Sequence, residues 1–438
     1  MRGLILTIGL LTQAAAFSSE RQPFEKGLET AIDPLVIEGH LPAYYLGISD
    51  KEGVLFERGL GSKGNVDHFN PDSDTKFALL DLSKPLVAIA ALKLWEEGRL
   101  ELDIPISMYL PEFKKMSLKS SAVGKAAIRV KDLFTHTAGF ANNLDQKSGA
   151  RGLSGSEAPK RDLFKTYQDK NLFTLKSLLS PEFEGRPLAI HVEELSTEPL
   201  LYEPGSSFEY SVSTEVLARI IEVVSGQSLD QALNEILFRP LGMKDTTFFL
   251  SPENSMNRAS LMKPLIRTFP VPGNYQRYEP FPLPAGDIVG MGDRVNFFSG
   301  GGGLISTGGD MAKFAQLMLR ILTSEGAGSF LSDKSTPMIF ENQLPKGLGN
   351  SPLAGKLPRA TTDGLSLVFN IKTKQRRYTE IIKQADADYY YWSGFSSSVI
   401  WVDANRGLAG IFLSQLRPPQ AYIIGDLIKI TEEIDSFN

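Results

Sequence analysis

The sequence predicts an α+β fold, in which an antiparallel sheet flanked by helices lies beside a mostly helical lobe. Near the start of the chain, the apolar runs 44–49 and 53–59 are separated by Asp50-Lys51-Glu52, a pattern typical of a β-hairpin. Apolar residues at helical spacing fill the middle of the chain. Runs that predict strands return at residues 366–372, 397–402 and 407–413. If strands from both ends share one sheet, a cleft falls between sheet and helices, and such clefts are favoured ligand sites.

The helices are predicted from their apolar spacing and from the residues at their ends. The clearest is residues 86–95, which begins after Pro85 and stops before Gly98. Further helical stretches lie at residues 130–134, 214–225, 229–237, 311–322 and 421–434.

Two segments without clear periodicity are expected to be loops, residues 141–171 and 251–298. We therefore expect one domain over residues 17–438. Its sheet lobe would take in about 25–75 and 300–438, and its helical lobe about 76–299.

Composition limits the classes of function. The chain has 438 residues, of which 42% are hydrophobic and 22% charged, as in an ordinary soluble globular protein with a large core. A net charge of -5 gives no basic surface for nucleic acid. The absence of cysteine excludes disulfides, thiolate zinc sites and cysteine nucleophiles. The histidines are scattered and form no His-Glu-x-x-His pattern, so no metal and no cofactor are expected: His40, His68, His136 and His191.

The first residues have the pattern of a secretory signal peptide. Arg2 is basic, residues 4–11 are apolar, and Ala14-Ala15-Ala16 offers a small-residue cleavage site. We expect a signal peptide over residues 1–16 and a secreted protein of the bacterial periplasm. The apolar run is too short to cross a bilayer, and no later run is long enough, so the protein is expected not to span a membrane.

The chemistry-bearing motif is Asp81-Leu82-Ser83-Lys84 at the start of the predicted helix 86–95. Residues three apart on a helix share a face, so Asp81 and Lys84 are expected to be neighbours. The segment 77–105 resembles the nucleophile helix of the β-lactamase-related serine hydrolases, a group that includes class C β-lactamases, penicillin-binding proteins and related esterases. That family keeps Ser-x-x-Lys here, so Asp81 stands where the resemblance places the serine nucleophile.

The resemblance depends on context, because a lone Ser-x-x-Lys spacing arises by chance in many chains. Residues 98–100, 109–113 and 133–139 follow in the family's order, and the likeness runs from about residue 30 to residue 430. It weakens across 141–200 and 251–298. It implies a β-lactamase/transpeptidase-like fold.

A second element of the family is Tyr210-Ser211-Val212. The resemblance implies that Tyr210 acts as a general base or proton relay beside Lys84. Many β-lactamases have asparagine at the position of Val212, whereas the esterase-like branch often has an aliphatic residue there. Val212 therefore favours the esterase-like branch.

A third element is Trp392-Ser393-Gly394, which resembles the family's edge strand beside the pocket. The resemblance implies that a backbone N–H of this strand and the amide of residue 81 form an oxyanion hole. Trp392 is a candidate wall of the pocket, with structural packing as the alternative. The glycine-rich segment 299–307 lacks the Gly-Lys-Ser/Thr ending of a phosphate loop. It resembles the family's Gly-Gly-Leu-x-Ser-Thr segment, and the resemblance implies that it packs the helix beneath the site. His136 is expected to be structural.

Aspartate at position 81 changes the expected chemistry. An ion pair with Lys84 holds Asp81 ionised and Lys84 protonated, and a protonated lysine cannot act as a general base. Carboxylate attack on an ester or amide would form an anhydride. Ser83 points elsewhere around the helix and is no substitute nucleophile.

Three hypotheses follow. The favoured one is a weakly active or inactive protein that acts by binding a ligand in the retained pocket. The second is an active hydrolase with other chemistry, in which Asp81 activates a water. The third is a serine hydrolase whose serine was exchanged by engineering. The expected ligand is a small ester, amide or β-lactam-like molecule or a peptidoglycan fragment, and the oligomeric state stays open.

Overall fold

The computed structural model describes a set of segments that together hold the sheet and the predicted site. They are residues 25–61, 70–118, 127–141, 187–250, 259, 262–264, 278–280, 297–324, 330–345, 348, 364–373 and 389–416. The predicted signal peptide, the predicted helix 421–434 and all but one residue of the predicted loop 141–171 lie outside the described residues. These expectations, secretion and the boundaries of the two lobes stay predictions.

A seven-stranded antiparallel sheet joins strands from both ends of the chain, as predicted, in the order β2-β1-β11-β10-β9-β8-β7. Its strands are β1 (Ala43–Ser49), β2 (Val54–Gly61), β7 (Gly364–Leu365), β8 (Asn370–Lys372), β9 (Tyr389–Ser393), β10 (Val399–Asp403) and β11 (Leu408–Ser414). The register of β1 against β11 pairs Tyr44 with Ser414, so the first and last described strands are neighbours, second and third from one edge of the sheet.

The predicted hairpin is present, and its turn is made by the side chain of Asp50. The Asp50 carboxylate accepts hydrogen bonds from the backbone N–H groups of Glu52 at 2.8 Å and Gly53 at 2.9 Å. An aspartate that binds the backbone two or three residues later stabilises a tight turn, which sets the pairing of β1 with β2.

One predicted strand is two. The pattern over 366–372 predicts a single strand, but the Ser366 hydroxyl accepts hydrogen bonds from the backbone N–H groups of Val368 at 3.0 Å and Phe369 at 2.8 Å. That side chain closes a turn between β7 and β8, which pair with each other. Two short hairpin strands, β4 (Met262–Pro264) and β5 (Tyr278–Pro280), also lie inside the predicted loop 251–298.

Helices are present at the predicted positions 86–95, 130–134, 214–225, 229–237 and 311–322, and three more, at 25–37, 188–195 and 336–340, were not predicted. They are α1 (residues 25–37), α2 (Ser83–Glu96), α3 (Val130–Phe134), α4 (Leu188–Leu195), α5 (Ser213–Ser225), α6 (Leu229–Leu233), α7 (Gly308–Leu322) and α8 (Thr336–Phe340). After α6 the chain continues as the π-helical segment Asn234–Phe238. Among the described residues, no helix combines the length and apolar character that crossing a bilayer requires.

The sheet is covered on both faces. Alternate residues of β1 point to opposite sides, so Tyr44 and Leu46 pack with Leu28 and Ile32 of α1, whereas Tyr45 belongs to the main cluster with the helices. Burial on both faces explains why β1 reads as a continuous apolar run.

A separate two-stranded pairing links the glycine-rich segment to the motif helix. Strand β3 (Lys76–Ala78) pairs with β6 (Ile305–Thr307), and the Leu79 backbone N–H donates to the Leu304 carbonyl at 2.8 Å. This pairing places residues 299–304 directly beside the start of α2, as the sequence predicts.

The close packing of Trp401 on β11 gives a test of the sheet. A Cβ added at Gly410 would lie 2.0 Å from Trp401 Cζ2, whereas one added at Gly53 would meet nothing within 4 Å. We expect Gly410→Ala to lower the free energy of unfolding by about 1–3 kcal/mol through overpacking. Urea unfolding measures this, with Gly53→Ala as the control that changes it by less than about 0.5 kcal/mol. Equal effects of the two substitutions would contradict the packing described.

Candidate active site

The motif residue Asp81 lies at a strained corner of the backbone. It belongs to a 3-10 turn, Leu80–Leu82, that leads directly into α2. Leu80 has a φ of 46°, and His136 and Ser397, from two other segments at the site, have φ values of 53° and 64°. Such conformations cost on the order of 1–3 kcal/mol each and persist where surrounding structure enforces them. The fold therefore holds Leu80, immediately before Asp81, in a conformation that leucine does not ordinarily adopt.

The Asp81 carboxylate is the centre of the site. Its Oδ1 accepts hydrogen bonds from Lys84 Nζ at 2.8 Å and from the Tyr210 hydroxyl at 2.6 Å, and its Oδ2 accepts one from the Phe395 backbone N–H at 2.8 Å. The Asp81 side chain is 13% exposed and that of Lys84 11%, so the pair is largely removed from water but still open to it. The predicted ion pair between Asp81 and Lys84 is present, and the Tyr210 hydroxyl binds the same carboxylate oxygen.

The hydrogen bonds decide the charge of Asp81. Burial would raise the pKa of this carboxyl, but the Lys84 ammonium and the hydrogen bonds from Lys84, Tyr210 and Phe395 outweigh burial and hold the pKa below its ordinary value. Asp81 is therefore ionised at neutral pH and is a weak base.

Tyr210 is a proton donor in this arrangement. Burial and the negative charge of Asp81, to which it donates, raise the pKa of Tyr210 well above its ordinary value. A protonated tyrosine that donates to a carboxylate is not in the state of a general base, whereas the alternative role that the resemblance implies, a proton relay beside Lys84, stays a prediction.

Lys84 is held by a second acceptor, which the sequence did not predict. Its Nζ donates to the Gly301 carbonyl at 2.6 Å, in addition to Asp81. It also lies 5.1 Å from the centre of the Tyr210 ring. Donation to both a carboxylate and a carbonyl fixes Lys84 as an ammonium between α2 and the glycine-rich segment.

Glu215 is a buried carboxylate that sequence reasoning missed. Its Oε1 accepts hydrogen bonds from Ser299 Oγ at 2.5 Å and the Gly301 N–H at 3.1 Å, and its Oε2 accepts one from the Gly300 N–H at 2.8 Å. Burial raises the pKa of Glu215, although these donors and Lys84 oppose the rise. A glutamate in the first turn of a helix is ordinarily explained by a favourable contact with the helix dipole. The sequence therefore gives no sign that Glu215 is buried. Glu215 connects α5, which follows Tyr210, to the segment that holds Lys84.

The strand element contributes through its backbone. The Phe395 N–H, just after β9, donates to the Asp81 carboxylate, because a carboxylate in reach of an N–H donor accepts a hydrogen bond from it. Gly394 permits the approach, because a Cβ there would lie 2.9 Å from Leu82 Cδ1. The expected oxyanion hole, formed by a strand N–H and the amide of residue 81, stays a prediction.

Aromatic rings form a wall beside the carboxylate. The His136 ring lies 4.6 Å from that of Tyr210, and the Trp392 ring lies 6.4 Å from Tyr210 and 6.5 Å from His136. Burial and the positive charge of Lys84 lower the pKa of His136 to about 3, and its Nδ1 accepts a hydrogen bond from the Ser211 N–H at 3.3 Å. His136 is therefore neutral. Within the described part of the chain, the buried Trp392 Nε1–H has no hydrogen-bond partner.

The remaining predicted residues are not brought to the carboxylate. Val212 is 4% exposed and packs in the main cluster. Ser393 has the strand parity of Tyr391, which packs on the opposite side of the sheet from Trp392. Ser83 is fully buried, and its hydroxyl accepts a hydrogen bond from the Leu304 N–H at 3.2 Å, so it is engaged away from position 81.

Comparisons with known proteins identify the family and the fold. A family model described as Beta-lactamase matches residues 28–431. Esterase EstB of Burkholderia gladioli is 28% identical over 238 residues, which is 53% of this chain and 54% of the esterase. The chain thus matches about half the length of this curated relative.

Solved structures confirm the predicted β-lactamase/transpeptidase-like α+β fold. EstCE1, described as a hydrolase with promiscuous acyltransferase activity, matches with a TM-score of 0.72 and 20% identity over 94% of this chain and 98% of its own. A beta-lactamase/D-alanine carboxypeptidase from Yersinia pestis matches with a TM-score of 0.61 and 15% identity over 94% of this chain and 98% of its own.

The charge of Asp81 predicts a pH-dependent contribution to stability. Because its pKa is lowered on folding, Asp81 stabilises the fold above its unfolded pKa of about 3.9, and this contribution is lost as the pH falls through the lower folded pKa. We expect Asp81→Asn to reduce the free energy of unfolding at pH 7 by about 1–3 kcal/mol. Urea unfolding at several pH values should show the difference shrinking below about pH 4. Asp103→Asn, at a side chain 75% exposed, is the control with little effect. A difference independent of pH would contradict the charge assigned to Asp81.

The role of Glu215 predicts a loss of stability when one acceptor is removed. In Glu215→Gln, an amide NH2 would face a donor, either the Gly300 N–H or the Ser299–Gly301 pair. We expect the free energy of unfolding to fall by about 2 kcal/mol, which calorimetry would detect as a lower Tm. Glu235→Gln, on an exposed side chain, is the matched control. An unchanged Tm in Glu215→Gln would show that these hydrogen bonds do not hold the segment.

Proposed function

The chain belongs to the beta-lactamase family, and we propose that it is a member that binds a small acyl ligand without forming an acyl-enzyme. The family acts on ester, amide or peptidoglycan-like substrates, and Esterase EstB is a relative by sequence. A small ester or amide is therefore the ligand class that we propose for the pocket beside Asp81 and Trp392.

One observation carries the proposal, namely that the two oxygens of Asp81 engage Lys84, Tyr210 and the Phe395 N–H together. Acyl transfer needs a nucleophile, a base to accept its proton and donors for the oxyanion. In this site the candidate bases, Lys84 and Tyr210, both donate hydrogen bonds to Asp81. The Phe395 N–H, the candidate donor for the oxyanion, also donates to Asp81. Each group that the reaction would use is engaged by the side chain that replaced the nucleophile.

Activation of a water by Asp81 is disfavoured by the same contacts. A general base works best when its pKa lies near the operating pH, whereas the pKa of Asp81 is held below its ordinary acidic value. His136 is neutral but its Nδ1 already accepts a hydrogen bond. Ser83, the adjacent hydroxyl, is buried against Leu304.

Restoring the hydroxyl tests the proposal. In Asp81→Ser, Lys84 and Tyr210 lose the anion that holds their protons and can pass a proton from the serine. We expect nitrophenyl ester hydrolysis or acylation by a fluorescent penicillin to rise by about 10³-fold or more over the native chain, since a nucleophile contributes on the order of 10⁶ in one serine protease. Steady-state rates and labelling yields measure the gain.

Two controls separate the alternatives. Lys84→Ala and Tyr210→Phe in the Asp81→Ser background should each remove most of the gained activity, which assigns it to this site. Native turnover that disappears in Asp81→Asn would overturn the proposal and favour hydrolysis through Asp81. Absence of activity in both native and Asp81→Ser proteins, with neither ester nor penicillin bound, would overturn ligand binding as well.

A further inference from the structure

The donors around Asp81 are held in place by contacts of their own. Lys84 is fixed by the Gly301 carbonyl at 2.6 Å. The Phe395 N–H lies within a turn closed by hydrogen bonds from the Gly394 N–H to the Ser398 carbonyl at 2.8 Å and from the Ser397 N–H to the Gly394 carbonyl at 3.2 Å. These contacts do not involve the Asp81 carboxylate, so the donors keep their positions without it.

The Tyr210 hydroxyl is positioned independently in the same way. Its ring packs against His136 at 4.6 Å and faces Trp392 at 6.4 Å. The next residue is tied to the same histidine, because the Ser211 N–H donates to His136 Nδ1 at 3.3 Å. Three segments distant in sequence thus aim an ammonium, a hydroxyl and a backbone N–H at one point.

We infer that Lys84, Tyr210 and the Phe395 N–H form a carboxylate-binding site whose built-in occupant is the side chain of Asp81. One carboxylate oxygen takes the ammonium and the hydroxyl, and the other takes the N–H, which matches the two-oxygen geometry of any small carboxylate. The native protein consequently rejects free carboxylates at this point. A second anion would have to share the same ammonium, hydroxyl and N–H with Asp81, which already accepts from all three.

The inference goes beyond the proposed function and does not depend on it, because occupancy by a carboxylate requires no acyl chemistry. Removing the Asp81 side chain beyond Cβ leaves a space that the carboxyl group filled, lined by the same donors. The ligand class for that space is a carboxylate of one or two carbons, such as formate or acetate. Acetamide is the matched neutral molecule, since its NH2 would face a donor in place of an acceptor oxygen.

Thermal unfolding of the full chain with added anion tests this site. We expect acetate to raise the Tm of Asp81→Ala in a saturable way, with the unfolding constant falling about elevenfold at ten times the Kd. Acetamide should bind at least about tenfold more weakly, because hydrogen bonds from charged donors to a charged acceptor are the stronger ones. Sodium chloride at the same ionic strength corrects for general salt effects. The native protein and Asp81→Asn, in which the space is filled, should show neither shift.

Two further variants keep the inference falsifiable. Tyr210→Phe in the Asp81→Ala background removes one donor and should weaken acetate binding by about tenfold. If Asp81→Ala does not fold, Asp81→Ser with formate replaces it, since serine leaves part of the same space. Equal acetate shifts in native and Asp81→Ala proteins, or a folded variant with no saturable shift, would overturn the inference. If Asp81→Ala binds acetate but the native protein binds no ester, the proposed function alone is overturned.

Discussion

An ammonium and a carboxylate one helical turn apart, both largely out of water, constrain everything around them. Taking either charge out of water alone costs several kcal/mol, so each needs the other and further partners. Lys84 meets this need with Asp81 and the Gly301 carbonyl, and Asp81 with Lys84, Tyr210 and the Phe395 N–H. The pairing of β3 with β6, the turn after β9 and the position of α5 each deliver one of those partners. The ion pair therefore depends on the whole fold.

The same contacts separate fold from chemistry. Family membership and structural similarity to proteins named as esterases, hydrolases and a carboxypeptidase describe the scaffold. Function depends on the protonation state of specific side chains. In this site Tyr210 keeps its proton, whereas a general base in acyl transfer would have to accept one. A neutral His136 and a protonated Tyr210 lie beside an ionised Asp81, and the proposed absence of acyl transfer rests on these charge states.

Local patterns predicted what is locally determined. The hairpin at residues 44–59 and the helix after Pro85 follow from alternation, helical spacing and turn residues, and the structure confirms both. The ion pair was predictable because residues three apart on a helix are neighbours. The contact of Asp81 with Phe395 spans 314 positions, and that of Lys84 with Gly301 spans 217, so no local pattern reveals them.

The other features that the sequence did not predict depend either on one side chain or on long-range packing. A serine can end a strand by binding the backbone, as Ser366 does, but serine is common within strands and the pattern alone does not distinguish the two. The positive φ of Leu80 is imposed by long-range packing, since leucine has no intrinsic preference for it. The burial of Glu215 likewise depends on which segment packs over α5.

The donor supplied by Phe395 belongs to the main chain, and this changes how it responds to substitution. A peptide N–H survives every replacement of its residue except proline. The turn that aims it is fixed by other backbone groups, at Gly394 and Ser398. Of the three donors that meet the Asp81 carboxylate, the Phe395 N–H is therefore the one that a substitution at its own position rarely removes, whereas Lys84 and Tyr210 are each lost by one exchange of side chain.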